Sequence, residues 1–439
     1  MCRPPRGRDR GPPRHLRGLH DDPGRTGVTG TTPEPSERWG QLTILSVGTL
    51  LAMSPSFAAA AVAPLLRDEW TVGLLELPFL TVVVQLGFAV GAIGLAVIGA
   101  TDVIPGPRLF AAGAVVAAAA NLGFGLSATD PGSAVPFRFM TGAALAAVYP
   151  VAMKLAAGWF RRDRGLAIGV VNGALTVGVA LPFLFRAVGA YAGVDWRPVV
   201  VAASVAAIAG ALLVGILVRS GPLEVAAPRF SPSIAAAAFR EPSVRLASLG
   251  YFGHMWELFA MWTWIPIFLL ASFAAAGLTD AAAASLTAFG VVAAGGVGSA
   301  VAGALADRLG RTTTTIAAMA VSGSSAVLAG ILFGAPVPIV VLVALVWGVS
   351  VVADSAQFSS AVSELAPPGT AGSALSVQTA VGFTLTSITI LGIGLLDPAG
   401  ADGWRLAWII LALGPVVGIA AMWRLRGRPD ALKMANGNR

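Results

Sequence analysis

Residues 281–311 read AAAASLTAFGVVAAGGVGSAVAGALADRLGR. From Ala281 to Ala306 no residue is charged, and the stretch then ends abruptly in Asp307, Arg308 and Arg311. A run of this length crosses a hydrocarbon layer of about 30 Å as a helix. In lipid every backbone N–H and C=O must find its partner inside the segment, so no other single-segment conformation is available. Its many Ala and Gly residues suit close approach between helices.

Eleven more runs of this kind flank it. They read as Leu42–Leu65, Leu77–Ala100, Arg108–Ser127, Val135–Trp159, Gly165–Ala190 and Pro198–Val218, then Leu246–Ala271, Thr313–Phe333, Pro338–Ser363, Thr370–Leu396 and Leu406–Trp423. Composition agrees: 56% of residues are hydrophobic and 12% charged, roughly half the charged fraction that a soluble surface needs. The expected organisation is a disordered basic tail (1–40), a six-helix bundle (41–218), a linker (219–245), a second bundle (246–426) and a short tail (427–439). The fold class expected is thus an all-α membrane protein of twelve transmembrane helices in two pseudo-symmetric six-helix bundles.

Most of the 29 basic residues fall in the segments that share a side with both termini, including Arg161, Arg162, Arg164, Arg308, Arg311, Arg424, Arg426 and Arg428. The positive-inside rule makes that side cytoplasmic, in a bacterial inner membrane. The net charge of +7 is therefore a topology signal and not a nucleic-acid footprint. Cys2, the single cysteine, excludes an intramolecular disulfide or thiolate cluster. The tail is rich in Arg, Pro and Gly, has no apolar core of a signal peptide, and reads as an upstream start-site artefact before Val28.

Two fragments recur in register. Asp195-Trp196-Arg197 precedes the sixth run as Gly403-Trp404-Arg405 precedes the twelfth, and Gly165-Leu-Ala-Ile-Gly169 matches Gly372-Ser-Ala-Leu-Ser376. Such a repeat is a transporter architecture with its site at the interface of the halves.

On these features the chain resembles the major facilitator superfamily, from Gln41 to Arg428. The most specific residues are Gly303-Ala-Leu-Ala-Asp307-Arg308-Leu-Gly310-Arg311, which fit the family's G-x-x-x-D-R-x-G-R signature. Gly303 allows close helix approach and Gly310 a tight turn. Asp307, at a helix C-terminus, needs compensation against the helix dipole. Arg308, Arg311 or a helix N-terminus in the same half can supply it in one conformation, which makes a gate. The blander reading is a turn with ordinary positive-inside arginines. The equivalent loop after the second run is worn, with Asp102 and Arg108 separated by Val-Ile-Pro-Gly-Pro. Arg138 to Gly142 resembles the family's fourth-helix Arg-x-x-x-Gly. The antiporter Gly-Pro motif, the sugar-porter linker motif and the nitrate-porter glycine run are missing. Gln85-Leu-Gly-Phe, Tyr149-Pro150 and Gly253-His254-Met-Trp-Glu257 resemble the cyanate- and nitrate-permease-like branch. The resemblance implies alternating access around a cavity lined by the first, fourth, seventh and tenth helices.

Ionisable groups inside a span usually face a cavity or a partner. His254, Glu257, Met261 and Trp264 share one stripe of the seventh helix. Glu257 near the midplane is placed to bind and release a proton, with His254 sharing it; the alternative is a fixed Glu–His pair. Asp354 and Gln357 lie one turn apart on the tenth helix, and Asp354 reads equally as a cavity group or as a cap on a kink. Arg138 and Tyr149 fall about 20° apart around the fourth helix, while Lys154 lies about 160° from Arg138. Arg138 and Tyr149 are therefore the cavity candidates and Lys154 a structural one, although Arg138 also reads as snorkelling outward. Gln85, Asn172 and Gln378 read as interhelical glue, and Pro55, Pro150 and Pro266 as kinks.

The function expected is secondary transport of a small solute, an anion being favoured by Arg138, through proton symport; drug or metabolite efflux by proton antiport is the alternative. The expected partners are a small-molecule solute, a proton as coupling ion and the bilayer, with a monomer as the working unit and no cofactor, metal or nucleic acid. There is no His-Glu-x-x-His and no phosphate-cradling loop, so a membrane enzyme is disfavoured. A sensor built on a transporter scaffold would carry an additional signalling domain.

Overall fold

A computed structural model of the chain describes residues 36–73, 75–161, 163–224 and 231–438. The tail expected to be disordered, up to residue 35, lies outside the described residues, as do Arg162 and Arg229. Among the described residues twelve helices are long and apolar enough to cross a membrane: α1 Arg38–Trp70, α2 Glu76–Ile98, α3 Gly106–Ser127, α4 Pro131–Trp159, α5 Arg164–Tyr191 and α6 Trp196–Leu217, then α7 Pro242–Ala275, α8 Ala281–Leu309, α9 Arg311–Ile331, α10 Val337–Leu365, α11 Ala371–Leu396 and α12 Gly400–Arg426. There is no strand among the described residues. Several helices outrun the apolar stretches that announced them. α7 begins at Pro242 and α12 ends at Arg426, because a helix projecting beyond hydrocarbon can carry charge at little cost.

The repeat is visible in how the helices pair. In the first half α2 packs on α4, α3 on α6, and α1 on α5 and α6; in the second, α8 packs on α10, α9 on α12, and α7 on α11 and α12. Adding six to each number in the first set gives the second. The halves meet along two seams, α5 on α8 and α2 on α11, which the same operation exchanges. A short helix, Pro232–Ala238, lies between the halves in sequence.

Small residues set the helix spacing. A Cβ on Gly142 of α4 would collide with the Val84 carbonyl of α2, so only glycine permits that crossing. At the α5–α8 seam, a Cβ on Gly173 would stand 2.9 Å from the Gly296 carbonyl, and one on Gly296 the same distance from the Gly173 carbonyl.

Three spans are interrupted. α1 stops at Ala52 and resumes at Ala58 after a 3-10 turn, Ser54–Phe57, which contains Pro55. α4 stops at Leu145 and resumes at Tyr149 ahead of Pro150. α10 is jointed at Asp354 without a proline. α7 stays unbroken through Pro266, so two of the three prolines expected to kink their helices coincide with breaks.

The α1 break is closed by Arg138. Its Nη1 donates to Pro55 O (3.2 Å) and Asn121 Oδ1 (2.8 Å), and its Nη2 to Pro55 O (3.2 Å) and Ser56 O (2.9 Å). Its guanidinium carbon lies 5.3 Å from the Phe124 ring centroid, and the residue is fully buried. A planar fork fits two successive carbonyls in a way an ammonium cannot. Arg138→Met removes these bonds and orphans buried carbonyls, so it is expected to destabilise the fold by ~3 kcal/mol or more. Arg138→Lys should recover only part of that. Thermal unfolding in detergent measures both; unchanged melting of Arg138→Met would contradict this role.

Candidate functional site

A cavity opens between the halves where the broken helices meet. Met53, Ser56 and Phe57 of α1, Leu145 and Tyr149 of α4, and Val352 and Ser355 of α10 all line it, each beside a break. α7 contributes Tyr251, Met255, Leu258, Phe259 and Trp262; α2, α5 and α11 add Gln85, Phe88, Asn172, Thr176, Thr379 and Phe383. The first, fourth, seventh and tenth helices thus reach the cavity, with three others. Its polar groups are hydroxyls, amides and the Trp262 indole N–H; among the described residues no carboxylate, guanidinium, ammonium or imidazole lines it.

An aromatic cluster spans the halves at the cavity wall. Phe57 stacks on Phe259 (centroids 6.1 Å) and stands edge-on to Trp262 (5.6 Å), while Phe383 meets Phe259 (5.3 Å) and Phe88 (4.7 Å). Phe57 and Phe88 come from the first half and the others from the second, so the cluster must part if the halves separate there. Further along, a Cβ on Gly394 of α11 would lie 3.1 Å from Leu75, just before α2, and 3.5 Å from Pro78.

The expected site residues divide into four places. Tyr149 alone among them lines the cavity, and its hydroxyl lies 3.3 Å from Asn172 Oδ1. Arg138 occupies the α1 break, against the expectation that it faces the solute, because carbonyls from a chain segment 83 positions away satisfy it. The third place is inside the second half. His254 Nδ1 lies 2.8 Å from Asp354 Oδ1. Glu257 accepts from Trp347 Nε1 (2.7 Å) and from Ser322 Oγ (2.9 Å). His254, Glu257 and Asp354 are all buried, and none lines the cavity. Of the expected stripe, His254 and Glu257 face α9 and α10, while Trp264 donates to Ile390 O of α11 at 3.1 Å and packs on Trp404 of α12; the neighbouring face of α7 looks into the cavity. His254 is paired with Asp354 rather than with Glu257.

Gln357 is drawn to the signature motif, where its Oε1 accepts from Arg311 Nη1 at 2.8 Å. Glu364 accepts from the same guanidinium twice, from Nε at 2.7 Å and Nη2 at 2.6 Å. Asp307 lies 3.8 Å from Arg311, and a Cβ on Gly165 would stand 3.2 Å from its carboxylate. Asp307 therefore faces the N-terminus of α5, in the opposite half, where a helix dipole favours negative charge; the expectation had placed that helix in its own half. Gly303 faces the Gly165 carbonyl, and Arg308 is exposed at the end of α8. Gly310 turns the chain at φ +91°. In the worn copy Arg108 is exposed at the start of α3, and the side chain of Asp102 lies outside the described residues. Lys154 pairs with Glu224 at 3.6 Å, consistent with a structural role.

Sequence reading missed Glu364, Trp347, Ser322 and Ser299. Glu364 carried the one available signal, an acidic residue amid basic segments at the end of α10.

The chain belongs to the Major Facilitator Superfamily, whose family model matches residues 45–390. No curated protein matches it significantly. Among solved structures it is similar to the xylose transporter XylE from E. coli in a partially occluded inward-open conformation, at 16% identity and TM-score 0.69, covering 89% of this chain and 99% of that one. A D-xylose-proton symporter gives 15% identity and TM-score 0.70, with 91% and 99% covered. The nucleoside transporter NupG gives 15% and 0.67, with 88% and 99% covered. At these identities the likeness is one of fold. The chain is thus a multi-pass membrane transporter of small solutes.

Gly310→Ala forces a side chain into an extended, positive-φ backbone (φ +91°, ψ +150°) and should cost ~1–3 kcal/mol, lowering the melting temperature in detergent. An unchanged value would show that the turn relaxes freely.

Proposed function

We propose that this protein moves a small, uncharged solute with an apolar or aromatic body by alternating access, coupled to protons. The observation that carries the reading is the cavity wall, which offers aromatic faces, hydroxyls and amides but no ionised group. An anion entering it would lose its hydration without meeting a counter-charge, a cost that hydroxyls alone do not offset. The anionic solute favoured by Arg138 loses its support, since both terminal nitrogens of that guanidinium are committed to carbonyls and an amide at the α1 break and the residue does not line the cavity.

Proton coupling is assigned to Glu257 together with His254 and Asp354. Glu257 and His254 sit one helix face away from the solute, on the same α7 that presents Tyr251, Met255 and Leu258 to it, and Asp354 meets them from α10. Protonation of Glu257 removes a charge from a buried site held by Trp347 and Ser322, which changes what α9 and α10 hold. Solute and proton then act on one helix from opposite sides. A cytoplasmic assignment, in a bacterial inner membrane, for the side that bears Arg161, Arg164, Arg219, Arg240, Arg245, Arg424 and Arg426 is supported by the positive-inside rule. Proton symport is the first reading; the same apolar wall suits efflux by proton antiport, and the sign of the pH gradient that drives net flux separates the two. The working unit is taken as a monomer.

Two measurements test this. In a thermal-stabilisation panel, neutral aromatic and heterocyclic compounds should raise the melting temperature and small inorganic or carboxylate anions should not; stabilisation by anions alone would overturn the substrate class. In proteoliposomes, Glu257→Gln should abolish flux driven by a pH gradient while solute exchange persists. Flux that still follows the gradient would remove Glu257 from the coupling role.

A further inference from the structure

Asn172 belongs to the cavity and to the seam at once. On the cavity side its Oδ1 accepts from the Tyr149 hydroxyl at 3.3 Å; on the other side its Nδ2 donates to Ser299 Oγ of α8 at 2.8 Å. The second bond crosses from one half of the molecule to the other. It lies where the two backbones come closest, with Gly173 against Gly296 one residue along. Asn172 and Ser299 are both buried, so water offers no ready substitute for either partner. The α5–α8 seam continues from here to Gly165, Gly303 and Asp307 at its end.

We propose that the Tyr149–Asn172–Ser299 chain is the element that reports on the cavity to the seam, making Asn172 a positioning residue for the opening of the halves. The reading rests on the cavity of the proposed function being the solute site. A carboxamide that accepts through Oδ1 is a better donor through Nδ2, because linked hydrogen bonds polarise one another. A solute that takes over the Tyr149 hydroxyl withdraws that support and weakens the grip on Ser299. Since α5 and α8 are held elsewhere along this stretch by glycine contacts, which have little directional strength, the bond is a lever out of proportion to its number of atoms. The gate motif at the far end of the same seam then receives the change through two rigid helices.

The test uses the full chain with Cys2→Ser, leaving no native cysteine, and nitroxide labels at Arg164→Cys and Leu305→Cys, exposed positions near the seam's end. Pulsed electron resonance reads the distance between them without any solute, so the outcome does not depend on the substrate being right. Ser299→Ala should raise the ratio of long to short distances about three- to tenfold, the effect of one buried hydrogen bond. Asn172→Ala breaks the same bond from the other side, is measured alongside and should match it. Tyr149→Phe, which leaves that bond in place but unsupported, should shift the ratio in the same direction by less. The Tyr149→Phe/Ser299→Ala pair should shift it by less than the product of the single changes. Distances unmoved by Ser299→Ala and Asn172→Ala, or Tyr149 and Ser299 effects that simply multiply, would overturn the proposal.

Discussion

A helix interrupted inside hydrocarbon leaves carbonyls that water cannot reach, and each costs several kcal/mol unless another group meets it. This chain interrupts three spans and meets the requirement differently each time. At the α1 break, Arg138 spans two successive carbonyls and ties them to Asn121. At the α10 joint, the Asp354 carbonyl receives Gln357 N at 2.9 Å and its carboxylate faces His254. At the α4 break, Val148 and Ala147 are held by short turns back to Leu145 and Ala144, and Tyr149 begins the new segment. The cavity lies where these breaks converge, because an interrupted helix frees space and polar atoms together. Binding surface and structural expense have the same origin.

The charges are arranged around that economy. Arg138 is spent on the backbone, the His254–Asp354 pair and Glu257 stay within the second half, and Arg311 with Glu364 sits at the end of α8, α9 and α10. Among the described residues, what remains facing the cavity is uncharged. Between the halves the contacts include glycine against backbone along α5–α8, the Asn172–Ser299 hydrogen bond, Asp307 at the N-terminus of α5 and aromatic rings around the cavity. Glycine and ring surfaces can slide or part at little cost, which leaves the few directional contacts to set the balance between two packings.

The fold was legible because hydropathy and the recurring fragments both report a property of whole segments. The signature around Asp307 was legible for the same reason, being local. What could not be read were pairings across distant segments. Arg138 and Pro55 are 83 positions apart, and nothing in the fourth span reveals that the first will break there. The stripe of His254, Glu257, Met261 and Trp264 was identified as a unit, but α7 is apolar on all sides and buried on most. Periodicity alone cannot say which of two adjacent faces looks at the solute. A register difference of one residue, His254 against Met255, decides it. Asn172 was seen as interhelical glue; that its partner lies in the other half depends on the α5–α8 crossing, which only the folded arrangement supplies.

The central claim is that an uncharged solute and a proton move together through sites that do not share a wall. Solid-supported-membrane electrophysiology measures this directly, using a stabilising compound as the solute. One neutral molecule carried with one proton transfers a positive charge, worth about 2.3 kcal/mol per 100 mV of membrane potential. The account predicts a solute-evoked current of positive charge in the direction of transport, accompanied by alkalinisation of the side the solute leaves. Solute flux that proceeds with neither current nor proton movement would contradict it.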